Sequence, residues 1–348
     1  MSTETLTWLN TNVLVGMTEK RGNAWHYRAS AQGAEPNHYP QAIPVQDVQR
    51  RLFSWKAVQV PVFAQVPASV ETATGMTETG EPVRMIEAKN RRAIVRSDSG
   101  DVLGVMSGRY TPHQYDEWLV TNVANLLDDD LQIGSAGLLK NGAIAWVSVE
   151  LADNITTRDG VEFRSHLLAT TSFDGSIPTL YKPVDTFVVC DNTRAAALSE
   201  TSQEIRVRHT AHSVLRLTDA REALGLILGN ADATIAEIER LCALPVTARQ
   251  FDAWLRMFVA PASPAKAAIT RTENTRERMR AMWDSDPRVA PWSGSAFGVL
   301  QLANTHRLHE RPTKGATIRA ERNMVELLNG TSARGDNRAE QILSAVLG

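Results

Sequence analysis

The stretch from Arg92 to Leu151 reads RAIVRSDSGDVLGVMSGRYTPHQYDEWLVTNVANLLDDDLQIGSAGLLKNGAIAWVSVEL, and its pattern decides the fold class. Arg92–Arg96 and Val102–Met106 are short β-prone runs. They flank Ser97-Asp98-Ser99-Gly100-Asp101, a turn composition, so they read as a hairpin. Thr111 suits an N-cap and Pro112 a first helical position, which predicts a helix to about Leu127. That helix places Tyr115, Leu119, Val123 and Leu126 on one stripe. Leu131–Leu139 and Ala143–Leu151 form a second hairpin, and Asn141-Gly142 at its tip suits the positive φ of a type I′ turn. Hairpin, helix, hairpin implies an antiparallel sheet with a helix across one face.

Outward from this core, Lys56–Val66 reads as a strand interrupted at Pro61. The residues before it read as irregular, broken by Pro36, Pro40 and Pro44. Val161–Ser172, Thr186–Cys190 and Gln203–His209 are further strands. The texture then becomes helical. Ser213–Ala243 carries Leu217, Ala220, Leu224, Ile227, Ala231, Ile235, Ile238 and Cys242 at spacings of three and four. Gly225 and Gly229 each weaken it by roughly 1 kcal/mol relative to Ala, which leaves one helix or two shorter ones open. Thr247–Val259, capped by Thr247, is followed by a loop at Ala260–Ala267. Helices at Arg271–Trp283, Ser295–His309, Ile318–Asn329 and Asn337–Leu347 complete the chain. Strands followed by helices argue an α+β fold. The expected organisation is a mostly antiparallel β-rich domain with the hairpin–helix core over residues 1–210, and over 211–348 a helical domain or an extension packed on it.

The net charge of −2 gives no overall attraction to nucleic acid or anionic lipid, but its distribution is uneven. Residues 1–191 hold 16 Lys+Arg against 22 Asp+Glu, and residues 192–348 hold 21 against 17. Only 7 of the 37 basic residues are Lys, and Arg is the better bidentate phosphate ligand. Cys190 and Cys242 make no disulfide framework. Met1–Lys20 lacks a signal-peptide core, and no apolar run is long enough for a bilayer. A cytoplasmic protein without membrane contact is expected.

Standard catalytic and cofactor signatures are missing. There is no phosphate-binding Gly-rich loop, no Gly-x-Ser-x-Gly elbow, no Cys-x-x-Cys and no His-Glu-x-x-His. No cofactor and no metal are expected, although His209 with His212, or His306 with His309, has ligand-like spacing. Asp128-Asp129-Asp130 reads as a solvated acidic loop. If the chain is an enzyme, its pocket would be built from Trp25, His26, Cys190, Asp191 and Asn192, with Cys190 as nucleophile and His26, His166 or His209 as base.

The arginines suggest a binding protein instead. Arg92 and Arg96 lie on the first hairpin, Arg206 and Arg208 share one face of a strand, and Arg276 and Arg280 lie on one helix. These six are the candidate phosphate contacts, provided that they converge on one groove. Trp25, Tyr27, Tyr110 and Trp292 are available for base stacking.

Several short motifs keep a common order: Gly22-Asn23-Ala24-Trp25-His26, Leu103-Gly104-Val105 with Tyr110, Gly142–Trp146, Thr171-Ser172-Phe173-Asp174-Gly175, Val188-Val189-Cys190-Asp191-Asn192-Thr193-Arg194, and Gly294–Gly298. Together they resemble the phage/plasmid-like protein family, a domain of unknown function. That family's last motif is usually followed by Asn-Ala and Glu-Tyr pairs, where Leu302-Ala303 and His306-Arg307 stand here. The resemblance implies nucleic-acid metabolism on mobile elements. One form of it is a single-strand DNA-binding or annealing protein that works as a homo-oligomer without ATP or metal. The alternatives are an enzyme built on the pocket above, or a structural or host-takeover protein acting through protein contacts.

Overall fold

The computed structural model describes every residue except 1–2, 25–26, 125, 128–130, 152, 188–191, 196–203, 214–219 and 313–318. Its centre is an antiparallel sheet. β1 (Val13–Val15), β6 (Leu131–Leu139), β7 (Ile144–Leu151), β9 (Glu162–Ser172), β10 (Thr179–Phe187) and β11 (Asn192–Ala195) lie side by side in that order. β8 (Ile155–Thr156) extends the edge beside β9, and β12 (Ile205–Val207) pairs with the other half of β10. A second sheet holds β2 (Ala57–Pro67), β3 (Gly75–Met76), β4 (Pro82–Arg96) and β5 (Val102–Ser107), with β4 in the middle. Ten helices are described: α1 (Thr3–Asn12), α2 (Thr18–Arg21), α3 (Val45–Leu52), α4 (Asn122–Ala124), α5 (Ala220–Ala243), α6 (Ala248–Phe258), α7 (Lys266–Ser285), α8 (Ala296–Thr305), α9 (Arg319–Leu328) and α10 (Thr331–Leu347). The protein is α+β, with antiparallel sheets in the N-terminal half and α5–α10 in the C-terminal part.

Both hairpins form as their alternation dictates. Val95 pairs with Val102 and Leu139 with Ile144. Lys140, Asn141 and Gly142 all have positive φ, so the second tip is a longer left-handed turn than the two-residue type I′ form. The intervening helix differs from expectation. It starts near Tyr115 as a wide, π-type turn (Asp116–Thr121) that leads into α4. Thr111, Pro112 and His113 stay outside it, because His113 is drawn into a ring stack described below. Tyr115, Leu119, Val123 and Leu126 are all buried in the largest core cluster, as their spacing requires. α5 is one helix despite Gly225 and Gly229. Thr247 caps α6 through a reciprocal box with Gln250.

Two strand and helix readings need correction. β10 was expected only from Thr186, yet it begins at Thr179. The supposedly irregular N-terminal region contains α1 and α3, and Pro44 precedes α3 as its cap residue instead of breaking it. Strands and helices share core clusters across residues 210 and 211. Ile227 of α5 belongs to the cluster with the strands, and Val161 and Phe163 belong to the cluster with the helices.

A close approach fixes the β6–β7 pair. A Cβ at Gly137 would lie 2.1 Å from the Trp146 ring on the neighbouring strand. Gly137→Ala must displace that buried indole and is expected to cost about 2–3 kcal/mol. Urea unfolding followed by tryptophan fluorescence measures it, and an unchanged midpoint would contradict this packing.

Candidate functional site

Four rings from three stretches stack in a row. Tyr110 follows β5, His113 and Trp118 flank the start of the wide turn, and His209 follows β12. The centroids are 4.8 Å apart for Tyr110–His209, 4.1 Å for His209–His113 and 3.8 Å for His113–Trp118, with interplanar angles of 8–14°. The backbone N–H of Thr111 donates to the His209 carbonyl at 3.3 Å, which closes the β5 exit onto the β12 exit.

Beneath the histidines lie Thr171 of β9 and Thr179 of β10. His113 Nδ1 is 2.6 Å from Thr179 Oγ1, the two threonine hydroxyls are 2.8 Å apart, and His209 Nε2 is within 3.1 and 3.2 Å of them. Four polar groups thus satisfy one another in an otherwise apolar layer. His113 Nε2 and His209 Nδ1 are buried without a hydrogen-bond partner. Burial pushes His113 down to about 3, helped by His209, and pushes His209 down to about 4. Both imidazoles are therefore neutral at physiological pH and act as flat, uncharged rings. The Tyr110 hydroxyl donates to the Ser172 carbonyl at 3.0 Å, and burial holds it above the ordinary phenol range.

Exposed cations border this stack. Arg109 is the chain neighbour of Tyr110, and Arg208 of His209. Arg91 pairs with Ser107, and the adjacent Asn90 carbonyl accepts from Gly108 N–H at 2.9 Å, so Lys89 and Arg91 lie at the same end of the β4–β5 pair. Among the described residues none of Lys89, Arg91, Arg109 and Arg208 forms an ion pair.

The six arginines singled out from the sequence behave differently. Five sit on three elements, β4, β12 and α7, Arg208 lies just past β12, and five have a carboxylate partner. Arg92 meets Glu87 at 3.2 Å, and Arg96 meets Asp98 at 2.7 Å while lying 4.2 Å over the Trp55 ring. Arg206 meets Glu204 at 2.5 Å. Arg276 meets Glu273 at 3.2 Å and also caps α6 by donating to the Val259 and Arg256 carbonyls. Arg280 meets Asp252 at 3.2 Å and Glu273 at 3.4 Å. The expected convergence on one groove is replaced by local neutralisation, with Arg208 the exception. Arg91 directly precedes Arg92, one of the two hairpin arginines read from the sequence. Arg109 and His113 gave no signal beyond lying on either side of the motif residue Tyr110.

Trp25, His26, Cys190 and Asp191 lie outside the described residues, as does Asp128-Asp129-Asp130. Asn192 begins β11 opposite Phe187. His209 is tied to the threonines while His212 is exposed, so the pair shares no site. Among the described residues no three His, Cys, Asp or Glu side chains are grouped to hold a metal, and no helix is long and apolar enough to cross a membrane.

Residues 102–329, from β5 to just beyond α9, match the family described as a domain of unknown function, DUF932. The chain belongs to this family. The matched DUF932 segment contains the whole ring stack and both threonines, whereas β2, β3 and β4 precede it. No curated protein and no solved structure matches the chain.

Proposed function

We propose that this DUF932 protein binds single-stranded nucleic acid along the cationic margin of the ring stack, in a non-enzymatic role in recombination or replication of a phage or plasmid. The supporting observation is that Lys89, Arg91, Arg109 and Arg208 border the stack and lack carboxylate partners among the described residues. Free cations release counterions when they meet phosphates, and paired ones first have to break an ion pair. The half-buried Tyr110 ring ends the row, so its outer face is the one a base would meet, and the neutral His209 behind it adds no charge. The reading replaces five of the six arginines expected from the sequence and retains Arg208.

Fluorescence anisotropy with a labelled oligothymidine over a salt series tests it. Arg109→Ala and Arg208→Ala should each weaken binding about tenfold at low salt and reduce the salt slope by roughly 0.7. Arg206→Ala, whose side chain is already engaged by Glu204, should change little. Absence of binding even at low salt, or equal effects from all three variants, would overturn the proposal.

A further inference from the structure

The strands of the second sheet have a one-sided charge. β2, β3 and β5 carry no charged side chain, and β4 carries Arg84, Lys89, Arg91, Arg92 and Arg96 against the single carboxylate of Glu87. Arg92 takes Glu87, and Arg96 takes Asp98 of the following turn. Arg84, Lys89 and Arg91 are exposed and form no ion pair among the described residues. The whole chain has a net charge of −2, so this surplus is local.

The register sets these cations along one face. Arg84 pairs with Val66 and Ile86 with Ala64, and alternation along β2 puts Val58 on the same side as both. Val95 pairs with Val58 and Val102, and alternation along β4 puts Arg91 on the side of Val95. Val58 and Val102 are exposed, whereas Ile94, on the other side, is buried in the largest core cluster. Arg84 and Arg91 therefore share the outward face. Between them Pro61 pairs with Arg92 and Phe63 with Glu87, so Ala88–Arg91 form a wide bulge on β4. The Asn90 carbonyl of the bulge accepts from Gly108 N–H at 2.9 Å, which seats it beside Arg109 and Tyr110 at the end of the ring stack. From Val58 to Arg92 no residue enters a core cluster, and the strands pack chiefly on one another. Beyond the bulge the β2–β4 pair is a ribbon whose Phe63, Ala64, Met85 and Ile86 are exposed. The sheet's other carboxylates sit in its connections, Glu71, Glu78 and Glu81 beyond Arg84 and Asp98 and Asp101 beyond Arg96.

We propose that the single strand bound at the ring stack runs on over this outward face, past Arg91 and Lys89 and across the bulge to Arg84. The ribbon is then the second half of the nucleic-acid interface. This inference rests on the reading above and adds the path and length of the bound strand. From Arg91 to Arg84 the track spans at most about 23 Å along β4. That is roughly seven stacked nucleotides at about 3.4 Å each, and fewer when the strand is extended. Phosphates meet the cations, and bases cover the aliphatic floor of Val60, Ala64 and Ile86, which otherwise faces water. The carboxylates in the connections repel phosphate and bound the track at both ends. An anionic membrane would use the same cations. Continuity with Tyr110, an uncharged ring beside Arg109, favours bases.

Fluorescence anisotropy with labelled oligothymidines of about four and about twelve nucleotides is the test. The longer one should bind the parent chain about tenfold more tightly or better. Arg84→Glu should weaken the longer one about tenfold and leave the shorter one unchanged, whereas Arg109→Ala should weaken both. The thermal melt of Arg84→Glu should match the parent, because the side chain is exposed. Undiminished binding of the longer oligonucleotide by Arg84→Glu, an equal loss at both lengths, or a parent affinity independent of length overturns the path and leaves the margin of the ring stack standing. If neither length binds, the reading above falls and the path with it. Arg84-dependent binding to phosphatidylserine vesicles in place of the longer oligonucleotide would assign the face to a membrane surface and also overturn the proposal.

Discussion

Lowering the pH from 7 to 5 is expected to destabilise the folded chain by roughly 4 kcal/mol, through three buried histidines. Burial, with His209 adding to it, pushes His113 to about 3. Burial alone pushes His209 to about 4, against a partial opposing pull from the Thr111 backbone. His166 is also pushed to about 4, chiefly by burial, with the positive charges of Arg164 and Arg21 adding to it and Glu150 opposing. In the unfolded chain all three titrate near 6.5. Between that value and about 4 the unfolded state therefore binds more protons than the native state, and stability falls as the pH falls. It is fully present above 6.5 and is lost progressively below it. At 1.36 kcal/mol per unit, each imidazole contributes about 1–2 kcal/mol at pH 5. His38 and His306 shift in the same direction. Urea midpoints at pH 7, 6 and 5 measure the effect. His113→Phe, which keeps a ring in the stack, should flatten the profile, and equal midpoints from pH 7 to 5 would contradict the neutral-histidine account.

What could be read from the sequence follows from the range of each interaction. The two hairpins, the stripe of Tyr115, Leu119, Val123 and Leu126, and the Thr247 cap all depend on residues within a few positions of one another, and all formed. β10 was partly hidden because Lys182, Pro183 and Asp185 interrupt its apolar pattern. The fold resolves the two charged residues at long range: Lys182 Nζ donates to the Leu327 carbonyl of α9, and Asp185 is bonded to α5. The arginines misled for the same reason. Arg280 meets Asp252 from the preceding helix, and Arg276 caps that helix, which no count along the chain reveals. The ring stack joins Tyr110 to His209 across the β9–β10 pair. Each residue was noticed, Tyr110 as a stacking ring and His209 as a base, but only the pairing of β10 with both β9 and β12 brings them together.

Asp185→Ala is expected to cost about 3–5 kcal/mol and to release α5 from the sheet. The carboxylate is 2% exposed and sits between β9 and α5. It accepts from Ser165 Oγ on β9, from Asn230 Nδ2 at 2.9 Å and from Thr234 Oγ1 on α5. Asn230 and Thr234 lie four residues apart, so one face of the helix presents both donors to the same carboxylate. Ala at 185 removes the acceptor and leaves three buried donors unsatisfied, which is the expensive half of breaking a polar network. Thr234→Val removes one donor together with its need for a partner and should cost only about 1 kcal/mol. α5 is the helix that contributes to both the strand-side and the helix-side clusters, through Ile227 and through Ala231 and Ile238. Its release should therefore expose amides well beyond residue 185. Hydrogen exchange of Asp185→Ala should show lost protection along Ala220–Ala243 while the β6–β7 hairpin stays protected. A variant within 1 kcal/mol of the parent, with α5 amides unchanged, would mean that apolar packing alone seats the helix.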